Sequence, residues 1–423
     1  MAIFKQMSLL NILYFNILIL PTLLITGPFL PDLAISVNAI IFLYLSIKKK
    51  DFEFFQIRII KIILLVWLFF IISSLFSDHK LYSLKSSFFY FRFFLFVGSI
   101  YLVKNKLLAI NKLKFFAFIL PILVISIDVI FQSFFGFNIV GKTSWDPSRN
   151  SSFFGDEHVS GSYIIRMLPL SILYLYWVIE KKNNNNLYYY LFLFLIIANL
   201  GIFLSGERTA FLLTLLLNIY IFFSFSKLKK IGVYIFLISS LLISVLIYTN
   251  ENVRNRMIHD TYRDIGVSEL LDKEKFIENF EANKLSPHYY HFKAAILMYQ
   301  DNKIFGVGPK NFRKLCYEKK YTINSLSCAT HPHSTWIQIL TETGIIPFII
   351  LIITFFIIIS NALKYIFYNL IGKKNMINDE KVILTSSFLI TLWPLIPSGN
   401  FFNNWLSIIY FFPLGFYLII NQK

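Results

Sequence analysis

Runs of about 20 apolar residues recur from one end of this 423-residue chain to the other. Each is long enough to carry a helix across ~30 Å of hydrocarbon. Lipid offers no partner to a backbone amide, so only helices and closed barrels can cross it. Barrel strands would alternate polar and apolar residues over ~10 positions, whereas these stretches stay apolar for about twice that. The expected fold is therefore all-α, a polytopic membrane helix bundle of about 12 transmembrane helices with one large, partly helical loop. The spans are expected near 8–27, 29–47, 59–76, 87–103, 115–134, 159–179, 187–204, 208–225, 231–248, 337–361, 382–397 and 404–420. The first lacks a small-residue cleavage site and is followed at once by a second, so it reads as a membrane helix rather than a leader. Charged residues make up 15%, against ~25% in soluble domains. Such a chain cannot clothe itself for water, which excludes a secreted, disordered or nucleic-acid-binding protein. Its expected surroundings are the lipid bilayer.

The net charge of +17 is mostly lysine in short loops, where it acts as a topology signal. With the N-terminus cytoplasmic, the inner loops hold eighteen basic residues. They run from Lys48, Lys49, Lys50, Arg58 and Lys61, through Lys104, Lys106, Lys112, Lys114, Lys181, Lys182, Lys227, Lys229 and Lys230, to Lys364, Lys373, Lys374 and Lys381. The short outer loops hold five: Lys80, Lys85, Lys142, Arg149 and Arg208. Both termini are thus expected inside. Residues 249–333 break the pattern as an outer loop of 85 residues, and loops of that length are usually functional or disordered. The chain divides into 1–248 (nine helices), 249–333 (the loop) and 334–423 (three helices). Within the loop, Glu251 to Glu281 is polar with apolar residues at helical spacing (Met257, Ile258, Tyr262, Ile265, Leu270 and Leu271). His291 to Tyr299 reads as a second short helix, and the apolar content suggests a folded cap. Asn183 to Asn186 is an inner linker.

Both cysteines, Cys316 and Cys328, lie in this loop. A disulfide there would close about a dozen residues and stabilise by ~3 kcal/mol in the entropy model; the alternative is two free thiols. A zinc site is disfavoured because the spacing does not fit. No metal or cofactor is expected.

Of 40 basic residues only nine are arginine, and eight of those fall in the outer half. Arg92 and Arg166 lie within spans, Arg149 and Arg208 in short outer segments, and Arg254, Arg256, Arg263 and Arg313 in the long loop. Arginine grips phosphate through two parallel hydrogen bonds, whereas lysine is a point charge. A chain that otherwise prefers lysine therefore points to an anion, such as a diphosphate, on that side. Arg92 and Arg166 could instead pair with Asp128 or Glu157. Arg254, Arg256 and Arg263 could simply be solvated. Arg208 opens a helix at the tight turn Ser205-Gly206-Glu207-Arg208, where the helix N-terminus adds positive potential; its alternative role is snorkelling to lipid phosphate.

The segment Thr330-His331-Pro332-His333-Ser334-Thr335 leads into another apolar helix. With Pro332 at the helix start, His333 is expected on the first turn, kept neutral by the helix terminus and so able to act as a general base. A capping role is the alternative. His331 reads as a structural neighbour, and His288 and His291 as further candidates. Gly306-Val307-Gly308-Pro309-Lys310 is a glycine-rich turn that either cradles an anion with its amides or simply turns. There is no phosphate-binding nucleotide loop, no paired-aspartate metal motif and no hydrolase nucleophile elbow, so ATP is not expected to drive the chemistry.

In these residues the chain resembles the bacterial O-antigen ligase and O-antigen polymerase-like membrane proteins. The resemblance rests on Ser205-Gly206-Glu207-Arg208-Thr209-Ala210-Phe211-Leu212, on Gly306 to Phe312, and on His331-Pro332-His333-Ser334 followed by Gly344. It also draws on Asp128, Gln132, Gly136, Gly141, Arg149 and Phe153-Phe154-Gly155. It implies a metal-independent, inverting glycosyltransferase of the bacterial inner membrane, with its active site at the periplasmic face. The donor would be a glycan on undecaprenyl diphosphate. The acceptor would be a hydroxyl of a lipid A-core sugar in a ligase, or another lipid-linked repeat unit in a polymerase. His333 falls on the family histidine and Arg208 on its arginine. The second loop arginine of ligases has no counterpart near Ser286 to Lys293, so either His288 takes its place or Arg256 or Arg263 reaches in. The expected diphosphate contacts are Arg208, Arg92, Arg166 and His288, with His333 catalytic. A transporter or flippase is the remaining alternative. Such folds show internal repeats and midplane sites, neither of which is visible here.

Overall fold

A computed structural model describes residues 2–182, 186–225, 229–265 and 286–421. The apolar runs form helices: α1 (Ala2–Leu23), α2 (Phe29–Lys49), α3 (Arg58–Phe76), α4 (Lys80–Phe88), α5 (Phe91–Leu102), α6 (Leu120–Phe135), α7 (Ser160–Lys182), α8 (Asn186–Leu204), α9 (Arg208–Ser224) and α10 (Lys229–Thr249). After the long loop, which contains α11 (Pro287–Asp301), come α12 (Thr335–Thr343), α13 (Ile345–Leu370), α14 (Asp379–Thr391) and α15 (Asn404–Asn421). The described residues contain no strand beyond a single bridge between Phe137 and Thr143. The molecule is thus the all-α polytopic bundle that the composition demanded.

The expected count of twelve spans is not confirmed. Among the described residues, eight helices are long and apolar enough to cross a membrane: α2, α3, α6 with its preceding turns from Lys112, α7, α8, α10, α13 and α15. The apolar parts of α1 and α9 are shorter. The expected span 87–103 breaks between α4 and α5. The span 382–397 stops at Thr391, because residues before a proline, here Pro394, disfavour helix. The span 337–361 is cut at Gly344, which separates α12 from α13.

At the centre runs α7, with Ile164, Ile165, Leu168, Leu170 and Leu173 buried. Helices α2 and α5 lie along each other, and Gly98 makes room for the Phe42 ring, which a Cβ there would meet at 2.4 Å. On the outside, α10 and α13 leave most of their apolar surface uncovered, including Ile353, Phe356 and Phe367. Faces of that size are not stable against water, and lipid supplies their cover.

Polar contacts sort the connections into two ends. At one end, Tyr163 Oη donates to Pro21 O (2.8 Å) and Trp405 Nε1 to Leu24 O (3.0 Å). There too Ser73 Oγ donates to Glu342 O (2.8 Å), and Asn150 Nδ2 to Leu204 O (2.6 Å). The long loop joins this end through Arg256 Nε, which donates to Gly206 O (3.2 Å). At the far end, Trp177 Nε1 donates to Glu380 Oε1 (2.6 Å) and Tyr174 Oη to Asn111 O (3.0 Å).

The loop has a small core of its own. Ala294, Ala295 and Met298 of α11 pack with Val307, Phe312, Leu315, Cys316 and Tyr321. Cys316 and Cys328 form a disulfide with their Cα atoms 5.2 Å apart. Before this core, Glu251–Arg254, a π-helical turn Asn255–His259 and Asp260–Ile265 continue from α10. Leu270 and Leu271, expected to extend that helix toward Glu281, lie outside the described residues, as do the Asn183 to Asn185 part of the linker and Lys227.

Candidate active site

Two basic groups and a knot of histidines occupy the loop-bearing end. The first group is built on the Ser205-Gly206-Glu207 turn between α8 and α9. Gly206 has φ +71°, and a Cβ on it would lie 2.4 Å from the Ser148 carbonyl oxygen. Only glycine lets the turn sit so close to the loop that carries Arg149. Glu207 reaches across to the start of α7, where Oε1 accepts from the amides of Gly161 (2.7 Å) and Ser162 (3.2 Å) and Oε2 from Ser162 Oγ (2.6 Å). It thereby satisfies two of the four amides that a helix start leaves open. Burial pushes its carboxyl up, while those bonds and Arg149 pull it down.

The 136–159 loop is held from the other side by side chains of α6. Asp128 accepts from Ile139 N (2.7 Å) and Ser152 Oγ (2.5 Å), and Gln132 Oε1 accepts from Ser152 N (2.8 Å). Asp128 is therefore occupied with the loop and is not the partner of Arg92 or Arg166. The loop so fixed presents Arg149, whose Nη2 donates to His158 O (3.1 Å) and whose Nε is buried without a partner. Arg149, Arg208 and Arg256 lie within electrostatic reach of one another. Asp146 and, at 3.7 Å, Asp260 offset part of this charge. Burial, with Arg149 next, holds His158 below its ordinary value. Arg166 is 8% exposed; its Nη1 donates to Ser162 O (3.3 Å), it feels Glu207 and Tyr410, and its Nε has no partner.

The histidines meet around His333. Its ring centroid lies 4.1 Å from that of His331, 5.1 Å from His288 and 5.2 Å from His291. His333 is not on the first helical turn. Ser334 is the N-cap of α12, its side chain accepting from Ile337 N (3.4 Å), and His333 precedes it with φ +56°. For a non-glycine residue this is an uncommon backbone state. It is fastened by Ser398 N, which donates to His333 O (2.9 Å), and by Ser398 Oγ, which accepts from Thr335 N (2.6 Å). Thr335 Oγ1 in turn lies 3.1 Å from Tyr410 Oη, next to Arg166. The neutral ring expected at a helix terminus has a different origin here. Burial first, and then His331, His288 and His291, push His333 down to about 3. His331, itself buried, is pushed down to about 4. No group of three or more His, Cys, Asp or Glu suited to a metal ion occurs among the described residues.

The second basic group sits on the glycine-rich turn, whose amides are not open to an anion. Val307 N donates to Thr341 O and Gly308 N to Glu342 O (both 2.9 Å). The Glu342 carboxylate takes the amides of Lys310 (3.0 Å) and Phe312 (3.1 Å). Gly306 is there because a Cβ would lie 2.6 Å from the backbone at the α12–α13 junction. Arg92 belongs to this group, 2.6 Å from Asp32 and apart from the Arg208 turn. Asp32 also feels Lys310, and Lys310 feels Arg313. A separate cleft of about 360 Å³ opens at the far end among Trp177, Glu180, Lys181 and Glu380. Two carboxylates against one lysine make it a poor place for a diphosphate.

Residues 191–352 match the family model described as O-antigen ligase. Over this stretch the chain is similar to O-antigen ligases. No curated protein matches it. The match supports a glycosyltransferase-like activity of ligase or polymerase type on lipid-linked glycans in a membrane. The O-antigen ligase match takes in Arg208, Arg256, His288, Lys310 and His333, and leaves Arg92, Arg149, Arg166 and Ser398 outside. Of the residues singled out in the sequence, the structure brings His288 to His333, sets Arg166 between the Glu207 turn and Tyr410, and takes Arg92 to Asp32. Arg149 and Arg256 stand beside Arg208, signalled in the sequence by residue type, by the place of Arg149 in the family resemblance and by Arg256 as a candidate for the second loop arginine. Nothing in the sequence marked Ser398.

Proposed function

We propose that this protein transfers a glycan from undecaprenyl diphosphate to an acceptor hydroxyl of a lipid A-core sugar, without metal, at the periplasmic face of the inner membrane. In this reading both termini are cytoplasmic. Supporting it above all is the convergence of Arg149, Arg208 and Arg256 on one turn at the same end as His333, with Arg208, Arg256 and His333 inside the segment that matches the O-antigen ligase family.

Outside the cytoplasm there is no ATP, so the donor arrives already activated as a sugar diphosphate. Arg208, flanked by Arg149 and Arg256, takes the charge that grows on the departing diphosphate; guanidinium forks suit its paired oxygens. Arg166, buried between this group and Tyr410, carries further positive charge toward the reacting centre. His333, neutral by burial, accepts the proton of the acceptor hydroxyl, whose oxygen attacks the anomeric carbon opposite the diphosphate and inverts it. Diphosphate charge nearby raises the basicity of an imidazole that burial and the neighbouring histidines hold low, so the base strengthens once donor is bound. His288 lines the same pocket and orients His333 or the donor.

The test is transfer by full-length protein in proteoliposomes with lipid-linked donor and lipid A-core acceptor. General base catalysis contributes ~10²–10⁴ in rate, and a removed oxyanion donor ~10²–10³. His333→Ala and Arg208→Ala should each lose at least ~10²-fold while remaining inserted and folded. Near-normal transfer by His333→Ala ends the base assignment. Transfer by wild type to a second lipid-linked unit but never to lipid A-core makes the protein a polymerase.

A further inference from the structure

Lys310 has φ +64°, a conformation that glycine or asparagine adopts at little cost and other residues rarely do. Strain of this kind persists where the surroundings over-determine it and the side chain is needed. The mount is rigid: Val307 and Gly308 are bonded to α12, the amides of Lys310 and Phe312 to the Glu342 carboxylate, and Asn311 Nδ2 donates to Ser77 Oγ at the end of α3. Phe305 stacks on Phe76 with centroids 4.3 Å apart.

On that mount the charged ends of Lys310 and Arg313 form no hydrogen bond or ion pair among the described residues, and Arg313 Nε is buried without a partner. Glu342, the carboxylate that bears most on Lys310, has its oxygens occupied by two amides and Gln338 Nε2 (2.9 Å). Asp32 is taken by Arg92. Arg313 is close enough to bear on His331, which touches His333. The strongest charges on Lys310 are Arg313, Glu342, Arg92 and Asp32, a different set from that around Arg208.

We propose that Lys310 and Arg313, backed by Arg92, form a second phosphate-binding subsite, which seats an acceptor carrying its own phosphate so that its hydroxyl meets His333. This rests on the transfer reading above and deepens it: the donor diphosphate takes the Arg208 group and the acceptor phosphate the Lys310 group. The phosphate has two possible sources, a phosphate ester on a core glycolipid or the diphosphate of a second lipid-linked glycan.

The test compares wild type with the double variant Lys310→Asn, Arg313→Gln, in which asparagine tolerates the left-handed backbone. Transfer is measured in proteoliposomes with a phosphate-bearing core glycolipid, the same glycolipid after phosphatase treatment, and a second lipid-linked glycan as acceptors. Wild type should favour the phosphate-bearing glycolipid by roughly tenfold or more in kcat/KM, as loss of a charged hydrogen bond implies, and the double variant should lose that preference. A preference shown only toward the lipid-linked glycan assigns the subsite to a diphosphate. Equal use of treated and untreated glycolipid by wild type, with no preference for the lipid-linked glycan, overturns the proposal, as does a preference retained by the variant. Binding of the phosphate-bearing glycolipid and of the lipid-linked glycan in detergent, read by thermophoresis, needs no turnover. Wild type that binds either more tightly than the variant but transfers nothing refutes the transfer reading and keeps the subsite. Equal binding of both compounds by both proteins overturns the subsite alone.

Discussion

Two glycines with nearly the same backbone allow the packing around Arg208 to be tested by subtraction. Gly206 has φ +71° and Gly136 φ +79°, but a Cβ on Gly206 would lie 2.4 Å from Ser148 O and 3.2 Å from Arg149 Cα, while Gly136 has nothing within 4 Å. Alanine at either position carries the left-handed cost of ~1–2 kcal/mol. Only at Gly206 must something also move, by 1.0 Å to bring the 2.4 Å contact to an ordinary 3.4 Å, and overpacking of this kind costs ~1–3 kcal/mol. The expected loss of stability is ~1–2 kcal/mol for Gly136→Ala and ~2–5 kcal/mol for Gly206→Ala, read by denaturation in detergent. The part that gives way is the loop bearing Arg149. Displacements of about 1 Å near a reacting centre cost up to ~10² in rate, so glycan transfer by Gly206→Ala should fall by that order while Gly136→Ala stays close to wild type. If the two variants match in both stability and transfer, the close packing of the turn on the Arg149 loop is not what this site depends on.

The disulfide and the histidines give two further tests. Cys316→Ser with Cys328→Ser should loosen the 286–330 cap by ~3 kcal/mol, seen as faster proteolysis there in wild type with reductant and in the variant without it; equal rates in all cases would refute a structural bridge. His333 and His331 are held at about 3 and about 4 in the folded chain against ~6.5 unfolded. Between those values the unfolded state binds more protons, so stability falls as pH drops through 6.5 toward 4. The thermal midpoint of wild type should therefore fall further between pH 7 and pH 5 than that of His333→Gln, and parallel curves would contradict the burial of these rings.

The helical membrane class was legible because length and unbroken apolarity of a segment are properties of the segment itself. The grouping of Arg208 with the loop residues was partly legible, because a chain rich in lysine had reserved arginine for one set of loops. What pairs with what was not. Arg92 finds Asp32, which lies 60 residues away in sequence, and no local pattern announces that partner. Asp128 seemed available to an arginine, yet it serves the backbone and hydroxyl of its own loop. His333 was read from Pro332 as a helix residue, whereas Ser334 caps the helix and Ser398 holds the histidine in the turn before it. Where the spans break is likewise hidden from a hydropathy window, since an apolar run interrupted at Phe89–Tyr90 or at Gly344 looks continuous to it.

Two buried glutamates, Glu207 and Glu342, help to explain how so much positive charge is held at one end of the bundle, where Arg92 and Arg256 have carboxylate partners of their own in Asp32 and Asp260. Each lies beside a basic group, and each spends its oxygens on two backbone amides and one further donor: Gly161, Ser162 and the Ser162 hydroxyl in one case, Lys310, Phe312 and Gln338 in the other. Their charge still lowers the cost of gathering cations, since opposite charges attract at any nearby position. One oxygen of each, however, already accepts two hydrogen bonds and the other accepts one, so neither carboxylate has both oxygens open to a guanidinium fork. An arrangement of this kind fixes the scaffold without engaging the two glutamates in bidentate arginine pairs. Removing a glutamate should therefore damage the fold more than the charge balance, whereas removing an arginine should spare the fold and remove the binding.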